Sequence, residues 1–228
     1  MELDVLFEDN HIIAVNKQSG DIVQADETQD KPLSKFVEDY LKEKYQKPGN
    51  VFVGVIHRLD RPVSGVVLFA RTSKGLARMN ELFKEKTIQK TYWAVVKNKP
   101  PKDSDIVKHF HIKDQNVKKA KLFHKEVPGS KHCELSYQVL AQSDKYYLLE
   151  VKPVTGRFHQ IRAQLASIGS PIKGDLKYGF DRSNPNAGIN LHARKIEFIH
   201  PVKHEKVEIT APVPQDDELW QFFERKVD

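Results

Sequence analysis

An arginine and an aspartate two residues apart, Arg58 and Asp60, stand between two apolar segments of the chain. Val51-Phe52-Val53-Gly54-Val55-Ile56 precedes them and Val66-Val67-Leu68-Phe69-Ala70 follows, and both read as buried strands. A carboxylate between buried strands is costly unless it is paired or has chemical work to do. If the backbone stays extended here, Arg58 and Asp60 face one side while His57 and Leu59 face the other. One face then carries chemistry and the other packing. An ion pair closing a hairpin accounts for the same residues, and this stretch alone leaves both readings open.

His57-Arg58-Leu59-Asp60-Arg61, followed by Ser64-Gly65 and an apolar strand, resembles the signature of the RluA-type RNA pseudouridine synthases. Lys90-Thr91-Tyr92-Trp93-Ala94 is similar to the family's Lys-x-Tyr-x-Ala strand. Thr155-Gly156-Arg157-Phe158-His159-Gln160-Ile161-Arg162 is similar to its Thr-Gly-Arg-x-His-Gln-Ile-Arg segment. Gly174-Asp175, Tyr178-Gly179, Leu191-His192-Ala193 and His200-Pro201 continue the pattern, so the resemblance runs from about residue 5 to about residue 212. Three ordered motifs are far more specific than a lone Arg-Leu-Asp.

The resemblance implies an enzyme that converts uridine to pseudouridine in structured RNA. The reaction breaks the C1′–N1 bond, turns the base and joins C1′ to C5. The RNA chain is not cut and nothing is oxidised, so no cofactor and no metal is expected. The resemblance makes Asp60 the catalytic carboxylate, acting as a nucleophile or as a base at the ribose. It makes Arg162 the cation that keeps Asp60 ionised, and Tyr92 the aromatic face against the target base, with a hydroxyl able to move a proton. A structural Asp60, a surface Arg162 and a core Tyr92 are the alternatives. Arg58 is implied to enter the RNA beside the flipped nucleotide, where it would offset part of the cost of unstacking; pairing with a phosphate or with Asp60 stands beside that reading. His57, Arg61, Lys90, Arg157 and His159 are expected to contact RNA as well. Pro62-Val63 departs from the commoner acidic residue and threonine. It stiffens the loop after Asp60 and is expected to affect loop support or substrate choice, not the reaction.

The chain has 228 residues, a formal net charge of +6 and a single cysteine. That length suits one large domain or two small ones, and a single catalytic domain over residues 1–228 is expected. One cysteine excludes an intrachain disulfide and a cysteine-based metal cluster, and Cys133 reads as a small strand residue. His57, His159 and His192 lack metal-ligand spacing and read as structural histidines. The positive charge fits an RNA partner. Lys118, Lys119 and Lys121, clustered with Lys113 and Lys125 around His109, His111 and His124, are expected to hold phosphates; a merely solvated face is the alternative.

No apolar run is long enough to span a bilayer, and Met1-Glu2-Leu3-Asp4 is not a signal pattern. A cytoplasmic monomer with no obligatory protein partner is expected. Some members of the family carry an S4-type RNA-binding domain. Here the catalytic pattern begins within the first ten residues. RNA binding is therefore expected of the catalytic domain, with a tRNA stem-loop favoured over a ribosomal RNA site. A non-catalytic RNA-binding protein or RNA chaperone of the same fold is the competing function, and the intact set Asp60, Tyr92 and Arg162 argues against it. A metal-dependent nuclease or hydrolase is disfavoured because the ligand spacing is missing.

The elements that must hold these residues read as α+β, with a mixed, largely antiparallel central sheet and flanking helices. Leu3 to Val15 suggests two strands around a tight turn. Pro32 opens a helix, and strands follow at 51–56 and 66–71. Ser73 is placed as an N-cap, with a strand at 87–96 after its helix. Residues 97–131 read as a polar strand-loop excursion. Strands at 133–141 and 146–152 lead to a helix over about 157–168, capped by Thr155 and ended by Gly169. Phe158, Ile161, Leu165 and Ile168 form its core stripe, with Arg162 at the stripe's edge. Strands at 189–199 and 206–211 and a helix at 216–226 complete the chain.

Overall fold

Ile12-Ile13-Ala14-Val15 is an uninterrupted apolar run, the pattern of a strand covered on both faces. The computed structural model describes residues 3–227, so Met1, Glu2 and Asp228 lie outside the described residues. In it, β1 (Val5–Glu8) and β2 (Ile12–Lys17) form an antiparallel pair, and all six residues of β2 are buried. Leu33–Lys44 forms α1, with Pro32 as its N-cap residue. The expected strand over 51–56 contracts to β3 (Gly54–Val55). It pairs with Phe69 and Ala70 of β4 (Ser64–Ala70). The whole of β4 is buried and runs antiparallel to β2, with Lys17 opposite Gly65. The following helix, α2 (Ser73–Lys84), is capped by Thr72 and not by Ser73: the Thr72 hydroxyl accepts from the backbone N–H of Gly75. That is the ordinary one-residue offset between a cap and the first helical residue.

The next five strands make an antiparallel array. They are β5 (Gln89–Val96), β6 (Ser104–Asp114), β7 (Lys119–Phe123), β8 (Lys131–Gln142) and β9 (Tyr147–Pro153), in the spatial order β5-β9-β8-β6-β7. The polar 97–131 segment is thus largely strand. β6 and β7 form a hairpin whose turn is held by the Asp114 carboxylate accepting from the N–H groups of Asn116 and Val117. Cys133 lies fully buried in β8.

Two features of the next helix differ from the sequence reading. It is shorter, α3 (Gln160–Ser167), and it is preceded by His159 in a left-handed conformation with no side-chain cap. Thr155 does not cap it; the Thr155 hydroxyl donates instead to Oε1 of Gln160 at 2.7 Å. The expected stripe also fails as a boundary. Gln160 through Leu165 are all buried, Arg162 included, while Phe158 and Ile168 are only partly so. β6, β7 and a short 3-10 turn at Leu176–Tyr178 pack around α3, so the polar side chains of the helix must find partners inside the protein.

Strands β10 (Leu191–Ile199) and β11 (Lys206–Thr210) pair antiparallel, and α4 (Glu218–Val227) ends the described chain. Two compact units result. One is the chain up to Gln89 together with Ala193–Val213; the other is Lys90–His192 together with the chain from Pro214. The architecture is α+β with largely antiparallel strands, as expected. Among the described residues no helix is long and apolar enough to cross a membrane.

Candidate active site

In the first unit the site is a turn. Residues 57–63 leave the strand conformation, and the N–H of Val63 donates to the carbonyl of Asp60 at 3.0 Å. The expected division of faces holds for Leu59, which is buried, and Arg58, which is exposed, but His57 and Asp60 are both half-buried. His57 serves the scaffold, because its Nε2 accepts from the backbone N–H of Leu68 at 3.1 Å. Arg61 reaches outward to Asp30, with Nη2 at 2.6 Å from the carboxylate.

The carbonyls of the turn are held by the segment that ends β2. Lys17 is fully buried. Its ammonium donates to the carbonyls of Val63 at 2.6 Å, Arg61 at 3.0 Å and Gln18 at 3.0 Å. The Ser19 hydroxyl donates to Pro62 at 3.1 Å, and the Gly20 N–H donates to Arg61 at 2.9 Å. Each carbonyl from Arg61 to Val63 therefore has a donor, and a buried lysine has three acceptors for its three protons. Burial pushes Lys17 down to about 8, against the pull of the Asp21 and Asp60 carboxylates. Gly65 closes the arrangement. It has φ of +113°, and a Cβ there would strike the backbone of Ala193, so only glycine fits where β4 begins. Sequence reading did not single out Lys17; the signal was a cation at the end of an apolar strand.

In the second unit, Tyr92 lies on β5 opposite Val151, partly exposed between the buried Thr91 and Trp93. Lys90, two residues earlier, is lowered by burial. The Thr155–Gln160 segment is locked to β8. The Gln160 amide donates to the carbonyl of Glu134 at 3.0 Å, and Oε1 of Gln160 accepts from the Arg157 N–H at 3.0 Å. The Arg157 guanidinium donates to the carbonyl of His132 at 3.2 Å.

Arg162 has a partner that sequence reading did not name. Its Nε and Nη2 donate to the two carboxylate oxygens of Asp175 at 2.6 and 2.8 Å. Both side chains are buried, and the Tyr178 ring lies 5.2 Å from the guanidinium. The Tyr178 hydroxyl accepts from the N–H of Ala120 at 2.8 Å and shares a 3.0 Å hydrogen bond with Nδ1 of His159. His159 stacks on Phe158. Burial, with the positive charge of Arg162 adding to it, pushes His159 down to about 3, so its imidazole is neutral at physiological pH.

The expected lysine cluster is real only in part. His109 and His111 point into the core, and burial lowers both. Lys119 lies over the Tyr178 ring at 5.6 Å and Lys113 over Phe158 at 4.7 Å. Lys121 is paired with Asp114 at 2.7 Å. Lys118 sits at the hairpin tip with φ of +47°.

Comparison with known proteins agrees with these motifs. A family model described as RNA pseudouridylate synthase matches residues 11–167. The tRNA pseudouridine synthase C of Haemophilus ducreyi is 34% identical, with 98% of this chain and 95% of the relative covered. The enzyme of the same name from Vibrio parahaemolyticus is 30% identical, with 97% and 93% covered. The ribosomal large subunit pseudouridine synthase C of Vibrio cholerae is 32% identical over 93% of this chain but only 66% of its own length. Among solved structures, human RNA pseudouridylate synthase domain containing 4 superposes with a TM-score of 0.79 at 21% identity, covering 97% of this chain and 93% of that one. That likeness establishes the fold.

Proposed function

The chain belongs to the RNA pseudouridylate synthase family, of the RluA type, and from that premise we propose that it isomerises uridine in a tRNA stem-loop with Asp60 as its catalytic carboxylate. The observation that carries the choice of Asp60 is its turn. A partly exposed carboxylate sits at the start of a loop whose next three carbonyls are pinned by Lys17, Ser19 and Gly20. Such a carboxylate is pre-positioned, which is what a reaction at an anomeric carbon requires.

The chemistry then runs as follows. Asp60 acts at the ribose as nucleophile or base, and the C1′–N1 bond breaks. The base turns, C1′ bonds to C5, the proton on C5 leaves to solvent, and N1 takes one up from solvent. Tyr92 offers its ring to the base and its hydroxyl for proton transfer. Arg162 is the cation of the reaction. Arg58, exposed beside Asp60 in sequence, takes the place of the flipped nucleotide in the RNA. Lys118, Lys119, Lys90, Arg61 and Arg157 contribute cations for phosphates. In this proposal the protein acts as a cytoplasmic monomer. tRNA is favoured because the relatives matched nearly end to end carry tRNA names.

The test is tritium release from C5-labelled uridine in tRNA lacking the modification, joined to mapping of the modified position. Wild-type protein should release tritium, and Asp60→Asn should release none while binding the same RNA. Release by the Asn variant at the wild-type rate would remove Asp60 from the reaction.

A further inference from the structure

We propose that Asp175 is a positioning residue for the isomerisation: it fixes the guanidinium of Arg162 in one orientation and acts on the reaction only through it. The inference rests on the catalytic role given to Arg162 above.

A guanidinium is planar and donates along its edges. Asp175 takes the edge formed by Nε and Nη2, at 2.6 and 2.8 Å, and so directs the Nη1 side away from itself. The Tyr178 ring centre lies 5.2 Å from the guanidinium carbon. Arg162 is therefore held along one edge by Asp175 and flanked by the Tyr178 ring.

The carboxylate that does this is itself fixed. The Asp175 N–H donates to the carbonyl of Ile172, and the Asp175 carbonyl accepts from the N–H groups of Tyr178 and Phe180. The preceding Gly174 has φ of +86°, and a Cβ there would lie 2.7 Å from the Asn184 side chain. Tyr178 is anchored through its hydroxyl to Ala120 and His159. The chain thus spends a glycine, a 3-10 turn and an aromatic ring on the orientation of one arginine.

Stability does not explain this arrangement well. A buried ion pair contributes little net stability, and well-packed apolar residues often replace one without loss. Direction is what a bidentate pair supplies and an apolar pair does not.

The experiment measures kcat and KM by tritium release for Asp175→Asn, Arg162→Gln and the double variant, with circular dichroism to check folding. Asp175→Asn should lower kcat by about 100-fold and leave KM for RNA within about threefold, because the arginine remains but is no longer aimed. In the Arg162→Gln background, Asp175→Asn should change kcat by no more than about twofold, since it has nothing left to position. A further loss beyond that, or wild-type kcat in Asp175→Asn beside an inactive Arg162→Gln, overturns the inference and leaves the role of Arg162 intact. Wild-type kcat in Arg162→Gln overturns that role itself. If Asp175→Asn does not fold, the comparison of Arg162→Gln with the double variant decides, because Arg162 is absent from both.

Discussion

The Lys17 ammonium donates to the carbonyl of Val63 at 2.6 Å, across 46 residues of chain, and so ties the end of β2 to the last residue of the Asp60 turn. A fully buried lysine is costly to desolvate, and here its three protons meet three backbone carbonyls. Lys17→Met keeps the apolar stem and removes those donors. It should destabilise the protein by about 2–4 kcal/mol, seen as a melting temperature lower by roughly 5–10 °C. A melting temperature unchanged within error would show that the turn holds without the lysine.

Tyr92→Phe separates two uses of one side chain. The ring remains to stack on the base, and the hydroxyl is lost. If the hydroxyl moves a proton, turnover should fall by about 10²–10⁴-fold while affinity for RNA holds. A fully active Phe variant leaves stacking as the only role of Tyr92.

His159 gives the protein a pH signature. The folded state keeps this imidazole neutral down to about pH 3, whereas the unfolded chain takes up the proton near 6.5. Between those values the unfolded state binds more protons, so stability falls as the pH drops from 6.5 toward 3 and is unaffected by this group above 6.5. His159→Gln removes the effect. Urea unfolding at pH 7 and pH 4.5 should show wild type losing about 1–2 kcal/mol more than the variant, after discounting for its partial exposure. Equal losses would place the buried imidazole elsewhere in the titration.

The hairpin lysines should be felt through salt. Reversing the charge of Lys118, Lys119 and Lys121 together should reduce the slope of log affinity against log salt by about 2–3 if each tracks a phosphate. Lys121 should contribute least, since Asp114 already holds it at 2.7 Å. An unchanged slope would make this edge a solvated face.

The sequence by itself determined the family and its motif residues. Contiguous side chains such as His57 to Arg61 and Thr155 to Arg162 carry chemistry whose spacing is local, and local spacing is preserved in the chain. It also determined the α+β alternation, because apolar periodicity is a local signal. The strand expected over 51–56 shrank to Gly54–Val55 because pairing is not local: the N–H of Leu68, next along β4 after Phe69, goes to the His57 side chain, and at Gly65 β4 meets Ala193 of β10. Burial of Gln160 through Leu165 in α3 was likewise invisible, since the helix's own pattern cannot show that β6, β7 and a 3-10 turn pack around it. Only the tertiary structure decided that Lys17 holds the Asp60 turn and that Asp175 holds Arg162. Each is a buried charge, and the free energy of a buried charge depends on which distant groups the fold brings within hydrogen-bonding distance of it.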